Sequence, residues 1–175
     1  TAYVTESGWS LTYEAIDRIS DEVAVGLRRR GLGAGDVLAL ILPPGPEYLL
    51  AYCAAAKLGA VTAGVNDRLS ERERTALVDL AGPKVTLTGG EFEPASGAEA
   101  VLAALRVTGE VPPALPDDPD RPVAIIFTSG TTGLPKGALY CNRQLAFITH
   151  TDVGDTWDGG GRTFSGTSFA HLGFM

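Results

Sequence analysis

The stretch Thr128-Ser129-Gly130-Thr131-Thr132-Gly133-Leu134-Pro135-Lys136-Gly137 gathers the residue types that hold an anion. Glycine lets successive backbone N–H groups converge on one point and form an anion nest. Ser129, Thr131 and Thr132 add hydroxyl donors without adding bulk. Lys136 supplies a mobile positive charge at the far end. Together these suit a polyphosphate. The spacing differs from the Walker loop, which sets glycine directly before its lysine and Ser or Thr directly after. Here Pro135 and Gly137 hold those places, so a P-loop kinase or GTPase is disfavoured. A plain hairpin turn would need neither a lysine nor four hydroxyls.

Other candidate chemistry is thinner. Cys53 and Cys141 have no metal-binding or redox spacing. Cys53 falls in an apolar helical pattern and is expected to be a buried packing residue. Gly31-Leu32-Gly33-Ala34-Gly35-Asp36 superficially resembles a dinucleotide fingerprint. It follows a helix and precedes a strand, the reverse of the required order, so it reads as a turn. Arg28-Arg29-Arg30 suits a solvated helix C-terminus. His150 is expected on a helix surface. Trp9 and Trp157 are expected to pack rather than to form ligand platforms.

The elements around the loop must position it. The apolar run Val123 to Phe127 leads in and Ala138-Leu139-Tyr140 leads out, which predicts strand, glycine-rich loop, strand. Glycine and proline keep the intervening residues out of a helix. Upstream, Leu11 to Arg30 reads as a helix capped by Thr12. Ile16, Ile19, Val23 and Leu27 lie on one face, and Gly31 ends it. Val37 to Leu42 has the continuous apolar character of a strand buried on both faces. Pro46 opens a helix through Glu47 to Leu58, apolar nearly all round and stopped by Gly59. Ala60 to Val65 reads as a strand. Ser70 with Glu73 forms a capping box for a helix to about Leu80, and Val85 to Leu87 is a further strand. Ala98 to Leu105 reads as a short helix. Thr108 to Pro122, with five prolines and four acidic residues, is an exposed connection. Asn142 is placed to cap a helix to about Thr149. Thr151 to Arg162 is polar and glycine-rich, and Thr163 to Ser168 suits a strand. Alternating helices and strands predict an α/β fold, a mainly parallel sheet flanked by helices.

Composition sets bounds. The 175 residues, 45% hydrophobic and 20% charged, are globular in character. The net charge of −7 and the absence of a basic stripe disfavour nucleic acid as a partner. No signal peptide is visible. No apolar run reaches membrane-spanning length, because Pro43, Pro44, Pro46 and Lys57 interrupt the longest. A cytoplasmic location is expected, with peripheral membrane contact and oligomeric state left open.

Ile125 to Tyr140, IIFTSGTTGLPKGALY, resembles the phosphate-binding signature of the adenylate-forming superfamily, which includes acyl-CoA synthetases, amino-acid adenylation domains and firefly-type luciferases. Leu11-Thr12-Tyr13 with Gly35-Asp36-Val37 resembles the family's opening. Pro46-Glu47-Tyr48 with Ala55-Ala56-Lys57-Leu58-Gly59-Ala60 resembles its second block. Ser168-Phe169-Ala170-His171-Leu172-Gly173 resembles the segment that carries a histidine or aromatic residue near the acyl pocket. The resemblance runs along nearly the whole chain, in order. The block after Gly59-Ala60 usually carries prolines and here reads Val61-Thr62-Ala63-Gly64-Val65-Asn66, a departure that bears on loop shape.

The resemblance implies that residues 1–175 are part of the large N-terminal domain of an adenylate-forming enzyme. The proline-rich connection falls at 108–122 and the phosphate loop at 128–137. The adenine- and ribose-binding segments, the hinge and the C-terminal domain with its lysine lie outside the sequence, so this chain alone is not expected to complete catalysis. The implied enzyme is an AMP-forming acid–thiol ligase, an acyl- or aryl-CoA synthetase, with fatty acid metabolism as one setting. ATP, Mg²⁺ and coenzyme A are the implied cofactor and co-substrates, and a small carboxylic acid is the partner. Lys136 is the implied catalytic residue, acting on the β- and γ-phosphates. Thr128, Ser129, Gly130, Thr131, Thr132 and Gly133 complete the phosphate site, with Thr128 also a ligand of Mg²⁺ beside a downstream glutamate that lies outside this sequence. His171 lines or gates the acyl pocket in this reading; a half-buried histidine satisfied by a backbone carbonyl is the alternative. An amino-acid adenylation domain and, in another class, a non-catalytic nucleotide-binding module or truncated pseudoenzyme are the competing readings.

Overall fold

The computed structural model describes residues 1–92, 95–128, 136–153 and 168–170. Two short strands, β1 (Tyr3–Val4) and β2 (Ser10–Leu11), pair antiparallel and lead into helix α1 (Tyr13–Arg29). Then follow β3 (Val37–Ile41), α2 (Pro46–Leu58), β4 (Val61–Gly64), α3 (Glu71–Ala81) and β5 (Val85–Thr88). The last described elements are β6 (Pro122–Thr128), β7 (Lys136–Cys141) and α4 (Asn142–Val153). The main sheet has the order β5-β3-β4-β6-β7; among the described strands, only β6 and β7 of this sheet pair antiparallel. The mainly parallel α/β reading therefore holds.

Local chemistry sets the ends of these elements. Thr12 accepts a hydrogen bond from the Ala15 N–H at 3.0 Å and caps α1. Ser70 and Glu73 form both halves of the capping box on α3. Gly59 and Gly82 stop α2 and α3 in the left-handed conformation. The expected stripe on α1 is turned inward: Ile19, Val23 and Leu27 are buried and Ile16 is half-buried. They join Leu38, Leu40, Tyr48, Leu50 and Leu87 in one core between α1, α2 and the sheet. Lys57 clips α2 to α1, donating to the Asp17 and Asp21 carboxylates at 2.7 Å each. Trp9 packs at the edge of the same core. Cys53 is half-buried rather than sealed, and burial raises its thiol pKa. His150 and Arg28 to Arg30 are exposed as expected. Among the described residues, no helix is long and apolar enough to cross a membrane.

Two elements differ from expectation. Ala98 to Leu105 is two 3-10 turns, Ala98–Ala100 and Ala103–Leu105, with Leu102 between them at φ 50°. A helix would direct the Ala103 N–H to the Glu99 carbonyl. That carbonyl instead accepts from Arg106 at 2.7 Å. Asn142 is the first residue of α4 and does not act as its cap. Its side-chain amide donates to the Asp118 carbonyl at 2.9 Å, and Gln144 accepts from the Cys141 N–H. The helix runs on to Val153. The strand expected at Thr163 to Ser168, and Trp157, fall mostly or wholly outside the described residues.

Candidate functional site

Strands β3, β4, β5 and β6 run in one direction, so their carboxyl ends share an edge of the sheet. The chain moves from β3 to β4 on one side, then back past β3 to β5. Right-handed crossovers in opposite directions put α2 and α3 on opposite faces. The crevice between the ends of β3 and β4 is thus a topological switch point, where open α/β sheets bind ligands.

Thr128 is the last residue of β6 and Lys136 the first of β7. They face each other in register, so both stand at the mouth of a hairpin on that carboxyl edge. Opposed residues of an antiparallel pair share a face, with Cβ atoms about 5 Å apart. The Thr128 hydroxyl donates only a long bond of 3.5 Å to the Lys136 carbonyl, and both residues are exposed. Thr62 and Ala63 of β4 pair with Ala124 and Ile125 of β6. Continuing that register, Gly64 lies beside Ile126, so Thr128 projects about 7 Å past the end of β4.

The hairpin is braced from three sides. Buried Thr62 donates its hydroxyl to the Val123 carbonyl at 3.1 Å, tying β6 to β4. Val123, Ala124 and Ile126 form a second small core with Tyr140 and Leu145. The acidic proline-rich connection is exposed or half-buried throughout, as expected, and it buttresses the hairpin's base. There the Asn142 and Arg143 N–H groups donate to the Arg121 and Pro119 carbonyls, and Arg143 pairs with Asp120 at 2.9 Å. Gly137 has a structural reason that its motif did not reveal. A Cβ there would lie 2.8 Å from Ile125 Cγ2, so the glycine lets β7 close on β6 beside Lys136.

A second segment reaches the same edge. Ser168 accepts from the Ala170 N–H at 3.3 Å and holds a turn. Phe169 of this turn is buried in the main core, edge-on to Tyr48 with ring centroids 5.7 Å apart. Ala170 packs against Gly64 at the end of β4. Burial pushes the Tyr48 phenol far up and the Tyr52 phenol up to about 12, so both stay neutral.

Of the residues nominated from sequence, Thr128 and Lys136 are thus brought together. Ser129, Gly130, Thr131, Thr132, Gly133 and His171 lie outside the described residues. An open cleft of ≈ 490 Å³ lies between α3 and the ends of β3 and β5, lined in part by Pro43, Arg74, Thr88 and Gly89. It contains none of the nominated residues. Among the described residues, no group of three His, Cys, Asp or Glu could hold a metal ion. Thr128 offers one hard hydroxyl oxygen, a donor of the kind that Mg²⁺ takes.

Residues 1–174 match the family model described as AMP-binding enzyme. The 4-coumarate–CoA ligase 3 of Oryza sativa subsp. japonica is 34% identical over 162 residues, covering 80% of this chain and 28% of its own length. A fatty acid–[acyl-carrier-protein] ligase of Streptomyces coeruleorubidus is 33% identical, covering 85% of this chain and 31% of its own length. Among solved structures, the inhibitor-bound N-terminal domain of FACL13 from Mycobacterium tuberculosis superposes with a TM-score of 0.69 at 27% identity. That match covers 80% of this chain and 39% of the FACL13 chain. The chain therefore spans about three tenths of the length of these curated relatives.

Proposed function

The chain belongs to the AMP-binding enzyme family, and on that premise we propose that it forms the front of the large domain of an AMP-forming acid–thiol ligase. A carboxylate oxygen attacks the α-phosphorus of ATP, the bond to the bridging oxygen breaks, and pyrophosphate leaves. The thiol of coenzyme A then attacks the acyl carbon, and AMP leaves. The observation that carries this reading is the pairing of Thr128 with Lys136 at the carboxyl edge of the sheet.

Two anions meet in the first half-reaction, so donors must be aimed at the charge that develops. Lys136 places its ammonium against the β- and γ-phosphates as a point charge on a flexible stem. Backbone N–H groups from Gly130 to Gly133 cradle the pyrophosphate, and Ser129, Thr131 and Thr132 add hydroxyl donors. Thr128 would hold Mg²⁺, which would supply charge neutralisation at the phosphates when bound. His171, next in sequence after the turn that packs on Gly64, lines the acyl pocket. The acid is an acyl or aryl carboxylic acid, with fatty acids among the candidates. Similarity to a ligase named for an acyl-carrier protein favours a carrier-protein thiol as the second choice of acceptor. The 175-residue chain alone does not turn over in this reading.

The test is carboxylic-acid-dependent ATP–pyrophosphate exchange by the protein that carries this chain, screened over a panel of acids. Lys136→Ala should lower the exchange rate by about 10²-fold, the scale for loss of one charge-stabilising group. It should leave the KM for the acid within a factor of about two, because the charge acts on phosphate and not on the acid. Unchanged exchange in that variant refutes the role given to Lys136.

A further inference from the structure

The geometry points to Gly64 as a positioning residue that sets the acyl end of the site by fixing how closely the Ser168–Ala170 turn sits on the sheet; this rests on the acid-activating reading above. Gly64 is the last residue of β4, on the carboxyl edge beside the switch point. Its φ is not in the left-handed region, so backbone freedom does not explain a glycine here. Space does. A Cβ on Gly64 would lie 2.4 Å from the Tyr48 hydroxyl oxygen, 2.9 Å from Ala170 Cα and 3.1 Å from Ala170 Cβ.

Neither neighbour yields easily. Tyr48 is buried in α2, and its ring is held by Phe169. Ala170 is buried, and Phe169 anchors its turn in the core. Carbon atoms sit comfortably at about 3.5–4.0 Å. A methyl group at position 64 therefore displaces the Ala170 backbone by roughly 0.6 Å or more. Ser168–Ala170 is the described part of the segment assigned to the acyl pocket, so the displacement acts on that end of the site. It does not pass to Thr128 and Lys136, which stand beyond β4 on the hairpin. The consequence is selective: acid recognition shifts while ATP recognition does not.

The experiment is steady-state pyrophosphate exchange by the protein that carries this chain, wild type against Gly64→Ala and Gly64→Ala/Tyr48→Phe, with thermal unfolding of each. We expect Gly64→Ala to raise the KM for the acid by about tenfold, on the scale at which ångström misplacements act. The KM for ATP should stay within about twofold. The double variant removes the 2.4 Å contact and should recover part of the thermal stability, while the raised acid KM persists because the Ala170 contact remains. Acid and ATP constants rising together, or an acid KM that recovers with stability, overturn the proposal. So does a crystal structure of Gly64→Ala with the Ser168–Ala170 turn unmoved. That last arm needs no activity, so absence of acid-dependent exchange in the wild type refutes the functional reading and not the positioning.

Discussion

Arg106→Ala should destabilise the protein strongly at neutral pH and much less in acid. Glu22 is charged yet only 2% exposed, and Arg106, 84 residues later, is 6% exposed. Glu22 Oε2 accepts from Arg106 Nε at 2.7 Å and lies 2.6 Å from Nη2. Its Oε1 accepts from the Gly109 N–H at 3.1 Å and from Arg18 at 3.4 Å. Removing one partner of a buried ion pair costs about 3–5 kcal/mol, since a desolvated charge is stranded. Gly109 and Arg18 stay on the other oxygen, so we place Arg106→Ala near the lower end, about 3 kcal/mol. The sign with pH follows from the carboxyl. Burial pushes its pKa up, but the Gly109 N–H, Arg106 and Arg18 together hold it below the ordinary 4.5. Its stabilisation is present above that ordinary value and is lost as pH falls through the folded one. In Arg106→Ala, burial keeps the Gly109 N–H as an opponent but loses Arg106, and the carboxyl takes its proton at higher pH. The gap between wild type and variant should therefore begin to narrow where the variant's carboxyl takes its proton and go on narrowing as pH falls toward the wild type's lowered folded pKa. Equilibrium urea denaturation near pH 7 and near pH 4 measures this. Glu22→Gln/Arg106→Ala, which strands no charge, should be more stable than Arg106→Ala alone at neutral pH. A loss under about 1 kcal/mol, or one equal at both pH values, refutes the argument.

Two further outcomes follow from the hairpin and from a cap. Gly137→Ala pushes a methyl into Ile125 Cγ2 and should cost about 1–3 kcal/mol of overpacking, with a parallel fall in pyrophosphate exchange. Adding Ile125→Ala removes that methyl and should restore part of both; denaturation and exchange assays on the pair decide it. Ser70→Ala removes the cap of α3 and the partner of Glu73. It should cost about 1 kcal/mol by urea denaturation and leave exchange unchanged, since α3 holds none of the nominated residues.

Much of the fold was legible because its signals are local. The stripe on α1, the Ser70 capping box, the stop at Gly59 and the apolar runs of β3 and β6 each depend on a few consecutive residues. Residues held from far along the chain were not legible. Ala98 to Leu105 has the composition of a helix, yet its Glu99 carbonyl is taken by Arg106 and the segment breaks into two turns. A signal was present upstream. Glu22 lies three residues after Ile19 and four before Gly26, within the apolar stripe. A carboxylate there requires a buried partner, and a mid-helix glycine requires something close. The close object is the Leu105 carbonyl, whose oxygen would be 1.6 Å from a Cβ on Gly26. Periodicity announces both needs but cannot say that Arg106 and Leu105 meet them.

The candidate site divides in the same way. Thr128 and Lys136 are eight residues apart, and the residue types between them already implied a glycine-rich loop between two strands. The connection then fixes their placement. A parallel crossover from β6 would carry the chain to the opposite edge of the sheet before the next strand began. An antiparallel hairpin returns it at once, so the residue that ends β6 and the residue that begins β7 stand together on the carboxyl edge. The one reversal of direction among the described strands of this sheet thus sets Lys136 on the same edge as the crevice between β3 and β4. Gly64 escapes this logic. What makes it matter is Tyr48, sixteen residues before, and Ala170, more than a hundred after. A glycine required by space and not by dihedral angle leaves no local mark, so only the assembled edge of the sheet gives it a role.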